Sequence, residues 1–228
     1  MKRTMCFILC LSLTLLVSHD THARKKRKKG EPVICKKGKL IFEDDFSEQE
    51  LLWAPQNGEW QIIKKTLATK SAKPKTGMIW VLREFSPTPN VVFQLRAFAP
   101  RTSNFWVTRV RPSQSSAQAP GAQISPVRCS FAISHIDGGQ VNVALNPLPY
   151  QKPRWITVLF EILDRKYALT VDGKTITYEA PNPEPSPESK LMIVLSKPDE
   201  DIFAIDDVKV WEALPLDEDE KDKKKKRR

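Results

Sequence analysis

Leu40-Ile41-Phe42-Glu43-Asp44-Asp45-Phe46 and Phe203-Ala204-Ile205-Asp206-Asp207-Val208-Lys209-Val210-Trp211 decide the fold. Each sets an acidic pair among apolar residues. The first opens the patterned part of the chain and the second closes it. Between them lie short apolar runs with the period of strands. Val91-Val92-Phe93-Gln94-Leu95-Arg96-Ala97-Phe98 shows it best: Val91, Phe93, Leu95 and Ala97 fall on one face, Gln94 and Arg96 on the other. No window of eleven or more residues carries the 3.6-residue spacing of an amphipathic helix. The expected fold is all-β: a two-sheet antiparallel β-sandwich, or jelly roll, in a single domain whose first and last strands meet.

The other runs agree. Gly58 to Ile63 alternates and turns at Lys64-Lys65 into Thr66 to Thr69. Met78 to Phe85, Phe105 to Val110, Arg128 to His135 and Val141 to Leu145 read as strands. Trp155 to Leu163 and Tyr167 to Val171 read as a hairpin around Asp164-Arg165-Lys166. Asp172-Gly173 turns the chain into Thr175 to Tyr178, and Leu191 to Leu195 follows. Prolines fall mostly between these runs, where they end strands without breaking a ladder. Pro112 to Pro126, rich in Ser, Gln, Ala and Pro, reads as a long surface loop, and Pro181 to Pro187 as another.

Residues 1–23 read as a signal peptide. Lys2 and Arg3 precede the apolar stretch Cys6 to Val17, and Thr21-His22-Ala23 supplies small residues for cleavage. That stretch is shorter than the roughly 20 apolar residues of a membrane span. The mature chain is therefore expected to be secreted or extracytoplasmic, with no transmembrane segment. The net charge of +10 is a property of the ends, because residues 31–216 carry 22 Lys/Arg against 21 Asp/Glu. Arg24 to Lys29 is a basic run, and the chain closes on Lys223 to Arg228. Residues 24–37 are expected to be a basic disordered linker, 38–212 the sandwich, and 213–228 a charged disordered tail. Such tails either solubilise the protein or attach it to an anionic cell-surface polymer. A neutral body on an exported chain makes nucleic acid a poor partner. After cleavage only Cys35, Cys129 and His135 of the Cys and His residues remain. A Cys35–Cys129 bridge is permitted in an oxidising compartment, and two free thiols are the alternative. One His and two Cys cannot build an all-Cys/His zinc site.

Three segments together resemble the concanavalin A-like lectin/glucanase superfamily, including its laminin G-like and 3-keto-disaccharide hydrolase branches. They are Phe42 to Phe46 with Trp53 and Gly58-Glu59-Trp60; Arg154 to Val158 with Tyr167 to Gly173; and Ile205 to Trp211. The resemblance covers about residues 38–212. It implies two antiparallel sheets, one of them concave and often facing carbohydrate. Fold does not name activity, since this fold hosts lectins, hydrolases and adhesion modules.

Glu43-Asp44-Asp45-Phe46-Ser47-Glu48 matches the spacing of the family's catalytic Glu-x-Asp-x-x-Glu motif. It opens the domain, however, whereas the family's catalytic strand lies mid-chain, so no catalysis is expected there. Ser134-His135-Ile136-Asp137 contains triad residue types, but neighbours on a strand point to opposite faces. The candidate sugar-binding residues are Gln94 and Arg96, with Trp106, Arg109, Gln140 and Asn142 expected on neighbouring strands. Some family members hold a structural calcium near the terminal strands, away from the cleft. Asp45 with Asp206, or their neighbours Asp44 and Asp207, are the candidates for Ca²⁺ here. The expected function is a secreted, non-catalytic module that binds carbohydrate or a cell-surface component. The alternatives are a glycan-active hydrolase or lyase on the same fold, and a structural surface protein held by its basic tails.

Overall fold

The computed structural model describes residues 30–48, 52–69, 78–85, 88–99, 104–110, 121–125, 129–134, 140–145, 152–181, 190–196 and 203–217. They form fifteen strands: β1 (Lys36–Asp44), β2 (Ala54–Asn57), β3 (Trp60–Ile63), β4 (Thr66–Thr69), β5 (Met78–Glu84), β6 (Val91–Ala99), β7 (Asn104–Val110), β8 (Gly121–Ile124), β9 (Cys129–Ser134), β10 (Gln140–Leu145), β11 (Arg154–Leu163), β12 (Lys166–Val171), β13 (Lys174–Glu179), β14 (Lys190–Ser196) and β15 (Ala204–Leu214). Sheet A has the order β13-β12-β11-β6-β15-β4-β3, with β1 also on β15; sheet B has the order β10-β9-β8-β7-β14-β5-β2. The first and last strands pair antiparallel, with Lys36 opposite Leu214 and Asp44 opposite Val208. This is the jelly-roll sandwich the alternation demands.

The core lies where the two inner faces meet. Val91, Phe93, Leu95 and Ala97 of β6 enter it beside Ile156, Val158, Phe160 and Ile162 of β11. Sheet B contributes Phe105 and Val107, Ala122 and Ile124, and Leu191, Ile193 and Leu195. Phe93 stacks 6.5 Å from Phe160 and meets Phe85 edge-on at 5.9 Å. Turn chemistry sets the hairpins. Lys64 and Lys65 both take positive φ between β3 and β4, and Asp172 and Gly173 do so between β12 and β13. Two-residue turns of that kind match the twist of their strands.

Three boundaries differ from the sequence reading. Residues 121–124, inside the expected loop from Pro112 to Pro126, form β8, because Ala122 and Ile124 are fully buried between β7 and β9. Strand β2 carries the Pro-containing run Ala54-Pro55-Gln56-Asn57 at the edge of sheet B, the position proline tolerates. The start of the sandwich is earlier than residue 38. Strand β1 begins at Lys36, and residues 30–35, expected in a disordered linker, lie across the outer face of sheet A.

That crossing has a specific cause. Glu161 faces away from the core on β11 and is 0% exposed. Its Oε1 and Oε2 accept the Val33 amide at 2.8 and 2.7 Å, and Oε2 also accepts the Ile34 amide at 2.8 Å. The Cys35 thiol lies 3.5 Å from the same oxygen. Beside this anchor, Ile34 and Cys35 cover Val92, Leu159, Leu163 and Ala213. A second small core therefore forms outside sheet A.

Candidate functional site

The sandwich divides the residues expected to form one sugar site. Gln94 and Arg96 stand on β6 in sheet A, where the neighbouring strands are β11 and β15. Trp106 and Arg109 stand on β7, and Gln140 and Asn142 on β10, all in sheet B. Gln94 and Arg96 alternate with core residues, as does Trp106 with Phe105 and Val107. They therefore face outward on opposite sides of the molecule, and the six do not form a single constellation. The side chains of Arg109, Gln140 and Asn142 lie outside the described residues. In the ladders Arg109 is opposite Leu191, Gln140 opposite Ser134 and Asn142 opposite Ala132.

On sheet A the polar groups have partners within the chain. Gln94 Oε1 accepts from Lys37 Nζ at 2.8 Å, and that ammonium sits 3.8 Å from the centroid of the Trp211 ring. Burial, followed by the charge of Lys209, holds the Lys37 pKa below that of an ordinary lysine. Arg96 Nη1 donates to Asp206 Oδ2 at 3.2 Å, and its guanidinium lies 5.1 Å from the centroid of Trp155. Phe98 meets Trp155 edge-on at 5.9 Å. The result is a half-exposed aromatic and charged patch whose ionic groups already satisfy one another.

Sheet B presents a different face. A single register row crosses it: Asn57, Trp80, Val194, Trp106, Gln123, Ser130 and Ala144. Val194 and Met192 alternate with Leu191, Ile193 and Leu195, so they face away from the core. They are nonetheless only 7% and 5% exposed, and Ser130 is 2% exposed. The middle of this outer face is thus recessed from water, with the half-buried Trp106 and Gln123 side by side in it. The seven strands of sheet B contain one carboxylate residue, Glu84, at the end of β5. Sequence reading missed Gln123, because a four-residue strand inside a Pro/Ser/Gln-rich stretch gives almost no periodic signal. It also passed over Met192 and Val194, because a run of apolar residues does not reveal which of them face outward.

The acidic pairs are engaged by protein donors. Asp44 accepts the Phe46 amide at 2.9 Å and Trp53 Nε1 at 2.8 Å. This clamp holds Phe46 buried at a φ of 53°. Asp45 is fully exposed and accepts the Ser47 amide at 3.0 Å, which lowers its pKa. Burial raises the pKa of Asp206 above the usual carboxylate value. Lys209 Nζ stands 3.0 Å from Asp207 Oδ1 and 3.8 Å from Glu43 Oε2, and the hydrogen bond from Asp207 raises its pKa. An ammonium thus supplies the counter-charge where the sequence suggested Ca²⁺ at Asp45 and Asp206. Among the described residues no three His, Cys, Asp or Glu side chains gather as a metal would need.

Cys35 and Cys129 are free and buried in separate clusters, the second core outside sheet A and the main core. The permitted bridge is therefore not formed. Burial pushes the Cys129 thiol up to about 11. Of the triad-type residues, Ser134 ends β9, and 135–137 lie outside the described residues. Among the described residues no helix is long and apolar enough to cross a membrane.

No family model matches the chain, and no curated protein does. Solved structures do. A Bacillus subtilis protein of unknown function with a galectin-like fold aligns with TM-score 0.58 and 11% identity, over 80% of this chain and all of that one. The carbohydrate-binding module CBM66 from Bacillus subtilis aligns with TM-score 0.51 and 10% identity, over 70% of this chain and 95% of that one. A GlcNAcα1-4Gal-releasing endo-β-galactosidase from Clostridium perfringens aligns with TM-score 0.58 and 13% identity, over 78% of this chain and 63% of that one. At such identities the likeness defines the fold: a concanavalin A-like jelly roll.

Proposed function

We propose that this is an exported carbohydrate-binding module whose ligand lies along the outer face of sheet B. The observation that carries the reading is the recessed middle of that face. An aromatic ring, Trp106, lies there beside an amide, Gln123, over a floor of Val194 and Met192. A sugar offers a flat C–H face and a rim of hydroxyls. A tryptophan ring covers the first and a glutamine amide bonds the second. The sequence of residues 1–23 supports export.

Binding is favoured over hydrolysis by the carboxylate count. Glycoside hydrolysis in its usual form needs two carboxyl groups about 5–10 Å apart. The strands of sheet B bring one, Glu84, at a strand end. The carbohydrate-binding module and the endo-β-galactosidase show that the fold itself is compatible with both roles.

The experiment is a glycan array on the protein, followed by calorimetry with the best ligand. Trp106→Ala is expected to weaken binding about tenfold or more, as loss of a stacking ring worth roughly 1–1.5 kcal/mol beyond its buried area predicts. Gln123→Ala, which removes no ring from the face, gives a second reading. Unchanged affinity in both variants overturns the site. Ligand turnover abolished by Glu84→Gln would make the protein an enzyme.

A further inference from the structure

We infer that the pairing of the terminal strands joins two cationic segments into one bivalent docking element for an anionic polysaccharide. Arg24 to Lys29 is six consecutive cations, and Lys223 to Arg228 is six more, at opposite ends of the sequence. The fold brings their attachment points together. Lys36 stands opposite Leu214 in the β1–β15 ladder, and its ammonium contacts the Asp217 carboxylate. On the other side, Glu161 pins Val33 and Ile34. Gly30 lies against Gln94, since a Cβ on that glycine would sit 3.3 Å from Gln94 Oε1. Gln94 is the register partner of Lys209, five positions before Leu214. At about 3.4 Å per residue the two held ends, Gly30 and Asp217, are therefore roughly 15–20 Å apart on one side of the molecule. Each six-residue run reaches up to about 20 Å when extended. One linear polyanion can thus meet both runs.

The consequence is avidity. When one run is bound, the other meets the same polymer at an effective concentration set by short tethers, which raises affinity by about 10²–10⁴ over a single run. The nearly neutral body adds little attraction of its own. A polysaccharide is favoured over a lipid surface by what lies beside the N-terminal anchor. Arg96, Trp155 and Phe98 stand next to Gln94 on the outer face of sheet A, an aromatic and cationic floor suited to sugar rings. The inference rests on the reading of the chain as exported and glycan-directed, and makes no use of the sheet B face.

The test measures binding of the full chain to heparin, and separately to vesicles containing anionic lipid, in about 0.1 M salt, where the Debye length is about 10 Å. Three variants replace the cations of 24–29, of 223–228, or of both with serine, keeping chain length. Each single replacement is expected to lower heparin affinity at least tenfold, and the double replacement to abolish binding. A loss of only about twofold in each single variant means independent tails and overturns the inference. Vesicles bound more tightly than heparin, with the same dependence on both runs, overturn the polysaccharide assignment. Trp106→Ala is expected to leave heparin binding intact, and the serine variants to leave the sheet B ligand bound. Failure of one site is therefore separable from failure of the other.

Discussion

Glu161→Ala is expected to destabilise the protein severely, through a segment far away in sequence. The carboxylate is fully buried on the outer face of sheet A and receives the amides of Val33 and Ile34 at 2.7–2.8 Å. A hydrogen bond to a charged group contributes about 1.5–3 kcal/mol net, so two give roughly 3–6 kcal/mol. Two effects reduce this. Val33 and Ile34 are only partly buried, so their freed amides can reach water. Removing the charge also recovers the desolvation it cost. The net expectation is a loss of about 2–4 kcal/mol. For a domain of this size each kcal/mol shifts the melting temperature by about 2–4 °C, so the midpoint falls roughly 5–15 °C. Glu161→Gln keeps the shape and one acceptor, and falls between the two. The assay is thermal melting followed by circular dichroism, with hydrogen exchange at Val33 and Ile34. In the Ala variant both amides lose protection and the second core of Cys35, Val92, Leu159, Leu163 and Ala213 loosens. A midpoint within about 1 °C of the parent, with protection at Val33 retained, would refute the claim that this carboxylate holds the N-terminal segment.

Three further outcomes are expected. Lys37 binds its proton less readily in the folded chain than in the unfolded one, so stability rises with pH from its lowered folded pKa up to about 10.5. The advantage of the parent over Lys37→Gln should widen across that window in pH-dependent melts, and a constant gap would contradict it. Lys209 has the opposite sign, and its stabilisation fades only above about 10.5. With Lys209 neutralising Asp207 and Glu43, melting should be indifferent to EDTA and to millimolar Ca²⁺, and a clear rise with Ca²⁺ would restore a metal at the terminal strands. Cys35 and Cys129 should both react with a thiol reagent in denaturant and neither in the native state, while a reductant leaves the melting temperature unchanged.

Much of the architecture was legible because strand alternation is a local signal. Val91 to Ala97 announced its buried face residue by residue, and the two acidic-pair segments did prove to be ladder partners. What stayed hidden depends on partners remote in sequence. Nothing near Glu161 in sequence says that an amide pair 127 and 128 residues away will need its oxygens. A carboxylate in Leu159-Phe160-Glu161-Ile162-Leu163 looks like an ordinary outward residue of a half-buried strand. The same limit split the candidate sugar site. Gln94 and Trp106 both alternate outward, but only the sheet order puts them on opposite faces. Period two assigns a residue to one of two sides of its own strand, and cannot say which side of the molecule that is. Strand order sets that, through long-range pairings such as β6 with β15 and β7 with β14. The acidic pairs show the remaining case. Four carboxylates on two adjoining strands repel unless something answers them, and both a metal and an ammonium satisfy that requirement. Lys209 was already present in the segment Ile205 to Trp211, two residues beyond Asp207, and the bulge between Asp206 and Lys209 is what returns its ammonium to Asp207.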